Sequence, residues 1–229
     1  MLFKSASGES VLSGNSLGAK VFYQLARWVV VTFCRTWLRL SVKGAENIPT
    51  SGAFILAPVH RSNIDTPIAS AVTRRRMRFM AKDSLWKIKI VGSAFSALGA
   101  FSVTRGSADL EALKRCIAYV NAGEPVVLFP EGTRQVGDNL APLFDGAAYV
   151  ALKTQVPIIP VGIGGSQKVM TKGSIKIRRQ RCAVIVGSPI YPATTIGSRA
   201  PRGDVRELTK RLSTAMQILL TEALAISRR

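Results

Sequence analysis

The first periodic segment is SLGAKVFYQLARWVVVTFCRTWLRLSVKG. Helical spacing gathers Lys20, Gln24, Arg27, Arg35 and Arg39 into one polar stripe about 120° wide, with Phe22, Leu25, Ala26, Val29, Val30, Phe33, Trp37 and Leu40 outside it. Trp28 and Val31 intrude on that stripe. From Gly52 the rhythm changes to short apolar runs separated by turn signals and helical stretches. AFILAPV (53–59), PVVLFP (125–130), PIIPVGI (157–163) and CAVIVGSPI (182–190) read as strands, and SIKIR (174–178) is a candidate fifth. Between them, 109–123 and 145–155 carry helical spacing, and the first of these closes on Gly123. The tail repeats apolar residues at Val205, Leu208, Leu212, Met216, Leu219, Ala223 and Ile226, so it predicts a helix with one core-facing stripe. Strands alternating with helices predict an α/β fold: a single-domain αβ sandwich with a largely parallel sheet. No repeat or linker divides the chain, so the expected organisation is a tail and amphipathic helix over 1–43 and one domain over 44–229.

Charge changes the picture. Thirty-two basic residues against 13 acidic ones leave a formal net charge of +19 on 229 residues, which points to a polyanionic partner, nucleic acid or an anionic membrane surface. Basic residues cluster at 74–89, 168–181 and 198–211, and together these clusters predict a one-signed surface. No zinc-finger, leucine-zipper or RNA-recognition pattern is present, so no specific nucleic-acid partner is expected. A basic edge beside a wide aromatic-rich apolar face makes the 20–40 segment an amphipathic membrane-interface helix; the alternative is a helix packed on the domain. Its longest clean apolar run, Trp28 to Cys34, is far shorter than the roughly 20 residues a spanning helix needs. The opening MLFKSASGESVLSGNS lacks a continuous apolar core and a small-residue cleavage site, so no secretory leader is expected. The expected location is the cytoplasmic membrane, peripheral or monotopic on its cytoplasmic face. Cys34, Cys116 and Cys182 are scattered and odd in number, which argues against a disulfide framework and against a metal site.

The chain's one histidine, His60, stands in APVHRSNIDTP. It follows an apolar strand, and Pro67 favours the opening turn of a helix, which puts Asp65 in or beside that first turn. Positions five apart lie about 140° apart on a regular helix, so a turn must bring the two side chains together. In that geometry the carboxylate accepts from one ring nitrogen and leaves the other free to take a proton from a hydroxyl. Two further segments carry candidate chemistry. In LFPEGTRQ, Gly132 permits a tight turn, Thr133 offers a hydroxyl, and Arg134 presents a fork suited to phosphate. GAFSVTRG is a second apolar run, ending in Arg105 beside glycine.

With these blocks the sequence resembles the glycerolipid acyltransferase family that includes bacterial 1-acylglycerol-3-phosphate acyltransferases. The four blocks occur in order: H-x-x-x-x-D as HRSNID, GAFSVTRG, FPEGTR at 129–134, and the proline-punctuated VPIIPVGI, over roughly residues 50–190. The resemblance implies acyl transfer from a thioester, acyl-coenzyme A or acyl carrier protein, to the free hydroxyl of a lysophospholipid, giving phosphatidic acid when the acceptor is lysophosphatidic acid. It implies no cofactor beyond that co-substrate. It makes His60 the general base and Asp65 its orienting partner, with Arg105, Glu131, Gly132, Thr133 and Arg134 holding the phosphate-bearing acceptor. Lys82 corresponds to a basic position of the family that adds charge to the phosphate pocket. Val59 stands where the family usually has a small polar residue, Gln135 where serine is common, and FSVTR where bulkier residues are frequent. These departures bear on the acceptor, not on the reaction type.

The chain contains no G-x-S-x-G elbow and no nucleotide-binding glycine spacing; GIGGSQK (162–168) matches neither. Two other readings stand beside the leading one. One is transfer to another lysophospholipid or to a glycolipid, and the other is a noncatalytic basic protein that coats membrane or nucleic acid.

Overall fold

Among the described residues, seven strands form one sheet in the order β1-β7-β6-β2-β5-β3-β4. The computed structural model describes residues 17–103, 110–171, 174, 176–194 and 200–229; the side chains of Lys82 and Val103 fall outside that description. The strands are β1 (Ser41–Lys43), β2 (Ile55–Pro58), β3 (Arg78–Lys82), β4 (Ala100–Val103), β5 (Val126–Val127), β6 (Ile158–Gly164) and β7 (Ala183–Val186). Every neighbouring pair is parallel except β6 with β7, as the alternation of strands and helices predicts. The helices are α1 (Leu17–Thr36), α2 (Asp65–Ala71), α3 (Lys89–Ala97), α4 (Leu110–Asn121), α5 (Gly146–Thr154), α6 (Ser166–Val169) and α7 (Arg202–Ser227).

The central strands are apolar on both faces because helices and loops cover both. β2 and β6 are buried throughout, and Ile55, Leu56, Ile158 and Ile159 are completely inaccessible. PVVLFP contributes only two strand residues, although Leu128 N–H continues the ladder by donating to Leu56 O at 3.0 Å. SIKIR is not a strand over its described residues; its backbone ties are a local turn, Ser174 N–H to Thr171 O at 3.0 Å, and Arg178 N–H to Val169 O at 2.8 Å.

α7 lies along β6 and β7. Its buried stripe follows the predicted positions as far as Met216 and then runs through Leu220, Ala223 and Leu224, leaving Leu219 and Ile226 half-buried. The helix sits directly on the strand backbone. A Cβ on Gly162 would lie 2.3 Å from the Leu219 carbonyl group, and one on Gly164 would lie 2.3 Å from the Ala223 oxygen. Gly162 and Gly164 of GIGGSQK therefore serve helix-on-sheet packing.

The basic segment 74–89 departs in part from the expected one-signed surface. It contains β3, and Arg75, Arg76 and Arg78 are used internally while Arg74 is exposed. Arg78 is buried, pairs with Glu124 through both ends of its fork (2.8 Å for Nη2 to Oε1), and places its guanidinium 4.9 Å from the centroid of the Tyr119 ring. Arg75 donates to Pro49 O and lies over Phe54, while Arg76 lies over Tyr23. Planar guanidinium groups tolerate such sites because they stack and fork as ammonium groups cannot.

α1 packs on α2 and α3 with Tyr23 and Cys34 buried. Arg27 departs from the predicted polar stripe: it turns inward and donates to Thr73 O at 2.8 Å. The opposite side presents Leu17, Val21, Phe22, Leu25, Trp28 and Val29, all exposed, so Trp28 belongs to an outward apolar face instead of interrupting a polar one. One side of the helix therefore packs on the domain, and the other is an exposed apolar face. No described helix is long and apolar enough to cross a membrane. β1 falls on the N-terminal side of the expected 43/44 division and pairs with β7, so the leading segment supplies an edge of the sheet.

Candidate active site

Parallel strands send their C-terminal ends to one edge of the sheet, and open α/β folds bind ligands there. β2 ends at Pro58 just before His60, β3 ends at Lys82, β4 ends at Val103, and β5 leads into Phe129–Arg134. Topology thus delivers most of the motif blocks to a single edge. Arg105 lies outside the described residues; Lys82 is placed by its backbone at the end of β3, paired in register with Val103.

The turn after β2 brings His60 and Asp65 together, Nδ1 to Oδ2 at 3.1 Å. Asp65 is completely buried as the first residue of α2. The same Oδ2 accepts the backbone N–H groups of Arg61 and Ser62, each at 2.6 Å. A backbone amide can only donate, so this oxygen is an acceptor and the ring must present Nδ1–H to it. That fixes the tautomer and leaves Nε2 as the basic nitrogen. The imidazole stacks on Phe129, centroids 4.2 Å apart and planes 29° apart, and 15% of its side chain remains accessible.

The FPEGTR turn closes over the histidine from β5. Gln135 N–H donates to His60 O at 2.8 Å, which ties the residue after Arg134 to the His60 loop. Gly132 has φ +67, a left-handed conformation that a side chain resists, and the exposed Phe144 ring occupies the space where its Cβ would be. Thr133 is exposed and accepts from Gln135 Nε2 at 3.0 Å. Arg134 is half-buried and has no hydrogen-bond or ion-pair partner among the described residues, so its charge is open to an incoming anion.

Glu131 departs from the expectation that it holds the acceptor. Its carboxylate is fully buried, and both oxygens are already occupied. Oε1 accepts from His60 N–H at 2.8 Å and from Arg61 Nη1 at 2.8 Å, while Oε2 accepts from Arg61 Nη1 at 2.7 Å and from Ala141 N–H at 3.3 Å. Arg61 is the residue sequence reasoning missed. It is equally buried and reaches on to Asn139 O at 3.1 Å. A signal was present: a carboxylate between Phe129-Pro130 and a tight turn, in a chain poor in acidic residues, requires a buried cation, and Arg61 adjoins the histidine that the turn must meet.

Burial holds two of the cysteines as neutral thiols, pushing Cys34 up to about 11 and Cys182 up to about 12, the latter with Asp65 and Cys34 adding repulsion. Neither offers a thiolate nucleophile near neutral pH. No metal-holding group of His, Cys, Asp and Glu occurs among the described residues.

This constellation occurs within residues 39–164, the stretch that matches the Acyltransferase family model. The chain belongs to that acyltransferase family. Among similar family members, a chloroplastic 1-acyl-sn-glycerol-3-phosphate acyltransferase of Brassica napus is 32% identical over 67% of this chain and 45% of its own length. The 1-acyl-sn-glycerol-3-phosphate acyltransferase of Bacillus subtilis is 29% identical over 70% of this chain and 82% of its own. The chain thus spans just under half the length of the plant relatives and most of the bacterial one. The crystal structure of the 1-acyl-sn-glycerophosphate acyltransferase PlsC from Thermotoga maritima superposes with a TM-score of 0.71, covering 96% of this chain and 88% of that one at 23% identity, a likeness of fold.

Proposed function

We propose that the protein transfers a fatty acyl group from an acyl thioester to the free hydroxyl of 1-acyl-glycerol-3-phosphate, giving phosphatidic acid. The observation that carries this reading is the His60–Asp65 pair, with Nδ1–H spent on a buried carboxylate and the anion-ready Arg134 one residue from a backbone tie to His60. The relatives' names supply the acceptor class.

In the proposed step, His60 Nε2 takes the proton of the acceptor hydroxyl as its oxygen attacks the thioester carbonyl. A carbon–oxygen bond forms, the carbon–sulfur bond breaks, and the departing sulfur takes the proton back from the imidazolium. Asp65 stabilises that imidazolium while it exists. A thioester is already activated, so no covalent acyl-enzyme is needed. Arg134, Thr133 and the Gly132 turn, with Lys82 and Arg105, hold the acceptor phosphate.

The test uses the purified protein with lysophosphatidic acid and, in separate reactions, a long-chain acyl-coenzyme A or the same acyl chain carried as a thioester on acyl carrier protein, with product lipids identified by mass spectrometry. Phosphatidic acid is expected, and the productive reaction identifies the donor. Product only from another lysophospholipid or a glycolipid overturns the acceptor assignment.

The proposed lipid acceptor and the outward apolar face of α1 support a location on a membrane surface, proposed to be the cytoplasmic one, where anionic lipid meets the basic surface. Substitution tests this better than truncation, because removing the leading segment would also remove β1. Leu25 and Trp28 are 62% and 68% exposed, so Leu25→Glu with Trp28→Glu leaves the fold intact. With each side chain contributing on the order of 1.5 kcal/mol on burial, binding to vesicles of phosphatidylcholine and phosphatidylglycerol is expected to weaken by roughly 10²-fold. Unchanged cosedimentation would refute the membrane role of this face.

A further inference from the structure

We infer that Arg61 and Glu131 are positioning residues that hold the general base in place, and that Glu131 makes no contact with the acceptor. The inference rests on the acyltransferase reading and assigns its site a further pair. Three observations carry it.

The first is access: both side chains are at most 2% exposed, so a lipid phosphate or hydroxyl cannot reach the carboxylate without the turn unfolding. The second is occupancy. The two oxygens of Glu131 receive the N–H of His60, the Arg61 guanidinium and the N–H of Ala141, leaving no open side for a ligand. The third is what the pair joins. Arg61 comes from the loop after β2 and Glu131 from the loop after β5, two adjacent parallel strands whose own ladder ends with Leu128 N–H on Leu56 O. Beyond that point the two motif blocks are held together by Arg61 and Glu131 and by the N–H of Gln135 on His60 O.

His60 is clamped at both ends of its own peptide unit. Its N–H is held by Glu131 Oε1, and its carbonyl accepts from Gln135 N–H and from Arg61 Nη1 at 3.2 Å. With the backbone fixed, Phe129 and Asp65 then set the ring. A base must be placed to within a fraction of an ångström, and misplacement by 1 Å costs about 10²-fold in rate.

The pair also makes a prediction about an isosteric change. Glutamine at this site has one acceptor oxygen and one donor amide. Glu131→Gln can therefore satisfy either His60 N–H or Ala141 N–H, and it turns its amide on the other donor. Arg61→Lys keeps the positive charge but loses the fork that reaches both Glu131 and Asn139.

Because His60 is the chain's one histidine, a protein labelled with isotopic nitrogen in histidine reports a single imidazole. A proton–nitrogen correlation spectrum of the full chain in detergent then reads its tautomer directly. The wild type is expected to show one tautomer, protonated at Nδ1. In Glu131→Gln the two ring nitrogens are expected to move toward exchange-averaged positions as the ring loosens on Asp65. In acyl transfer, kcat is expected to fall about 10²-fold while KM for the lysophospholipid stays within about twofold, as for an interaction that acts on the transition state alone.

An unchanged ring spectrum in Glu131→Gln overturns the inference, whatever the kinetics. So does a rise in acceptor KM with kcat retained, which would make Glu131 a ligand of the acceptor. If Glu131→Gln does not fold, Arg61→Lys decides by the same spectrum. A wild type that makes no product from any acceptor, but whose ring signal still shifts on substitution, leaves the positioning pair standing and removes the proposed function.

Discussion

His60→Ala is expected to abolish nearly all acyl transfer while leaving a folded protein. Loss of a positioned general base lowers the rate by roughly 10²- to 10⁴-fold. The fold should tolerate the change, since His60 is partly accessible and what is lost is one stacked contact on Phe129 and one hydrogen bond to Asp65. Asp65 keeps its two backbone donors.

The companion change behaves differently. Asp65→Ala removes the acceptor for the buried N–H groups of Arg61 and Ser62. Each unsatisfied donor costs about 1–3 kcal/mol, so this variant should lose both activity and stability. Asp65→Asn can keep its carbonyl toward those donors and should fold better while still losing the charge that stabilises an imidazolium. Initial rates at saturating acceptor, measured beside thermal unfolding, separate the three. An active His60→Ala would refute the base assignment.

The second large effect is on stability. Gly162→Ala and Gly164→Ala each place a methyl 2.3 Å from the backbone of α7, at the Leu219 and Ala223 carbonyl groups. Backbone within a 26-residue helix cannot turn aside as a side chain can, so the helix must lift from β6. Overpacking of this kind costs about 1–3 kcal/mol or more at each site. For a chain of this size a cost of 1 kcal/mol lowers Tm by roughly 2–4 °C, so the double variant should melt about 5–20 °C lower. Gly203→Ala is the control. It lies in α7 with nothing within 4 Å of its would-be Cβ, and helix propensity makes alanine there neutral or better by up to about 1 kcal/mol. Equal melting of the two sets would refute the account of α7 packing.

How much of this was legible beforehand depends on which neighbour decides each residue's role. The β2 and β6 runs are apolar whatever surrounds them, so AFILAPV and PIIPVGI announce themselves as strands. β3 does not. Its sequence, RFMAK, begins with an arginine that is acceptable in a strand only because Tyr119 in α4 and Glu124 just after it receive its guanidinium. SIKIR shows the converse: it alternates like a strand, yet its described residues join no ladder. In the site, HRSNID and FPEGTR were readable as motifs and the His60–Asp65 contact as a turn geometry. The burial of Glu131 was not readable, because it depends on Arg61 arriving from another loop. Arg27 is the same case in α1: periodicity assigned it to the polar stripe, and the carbonyl of Thr73 drew it inward.

The pairing of β1 with β7 has a consequence for the order of assembly. Ser41 bonds in register with Ala183, and Cys182 N–H reaches back to Leu38 O at 2.9 Å. That edge closes only after about 140 further residues have been made, which at typical synthesis rates of 5–20 residues per second takes roughly 7–28 s. Throughout that interval α1 precedes its own sheet. On the proposed membrane role, a nascent chain would present Leu25 and Trp28 to the lipid surface before its last strand exists, and the remaining strands would be added to a chain already held there.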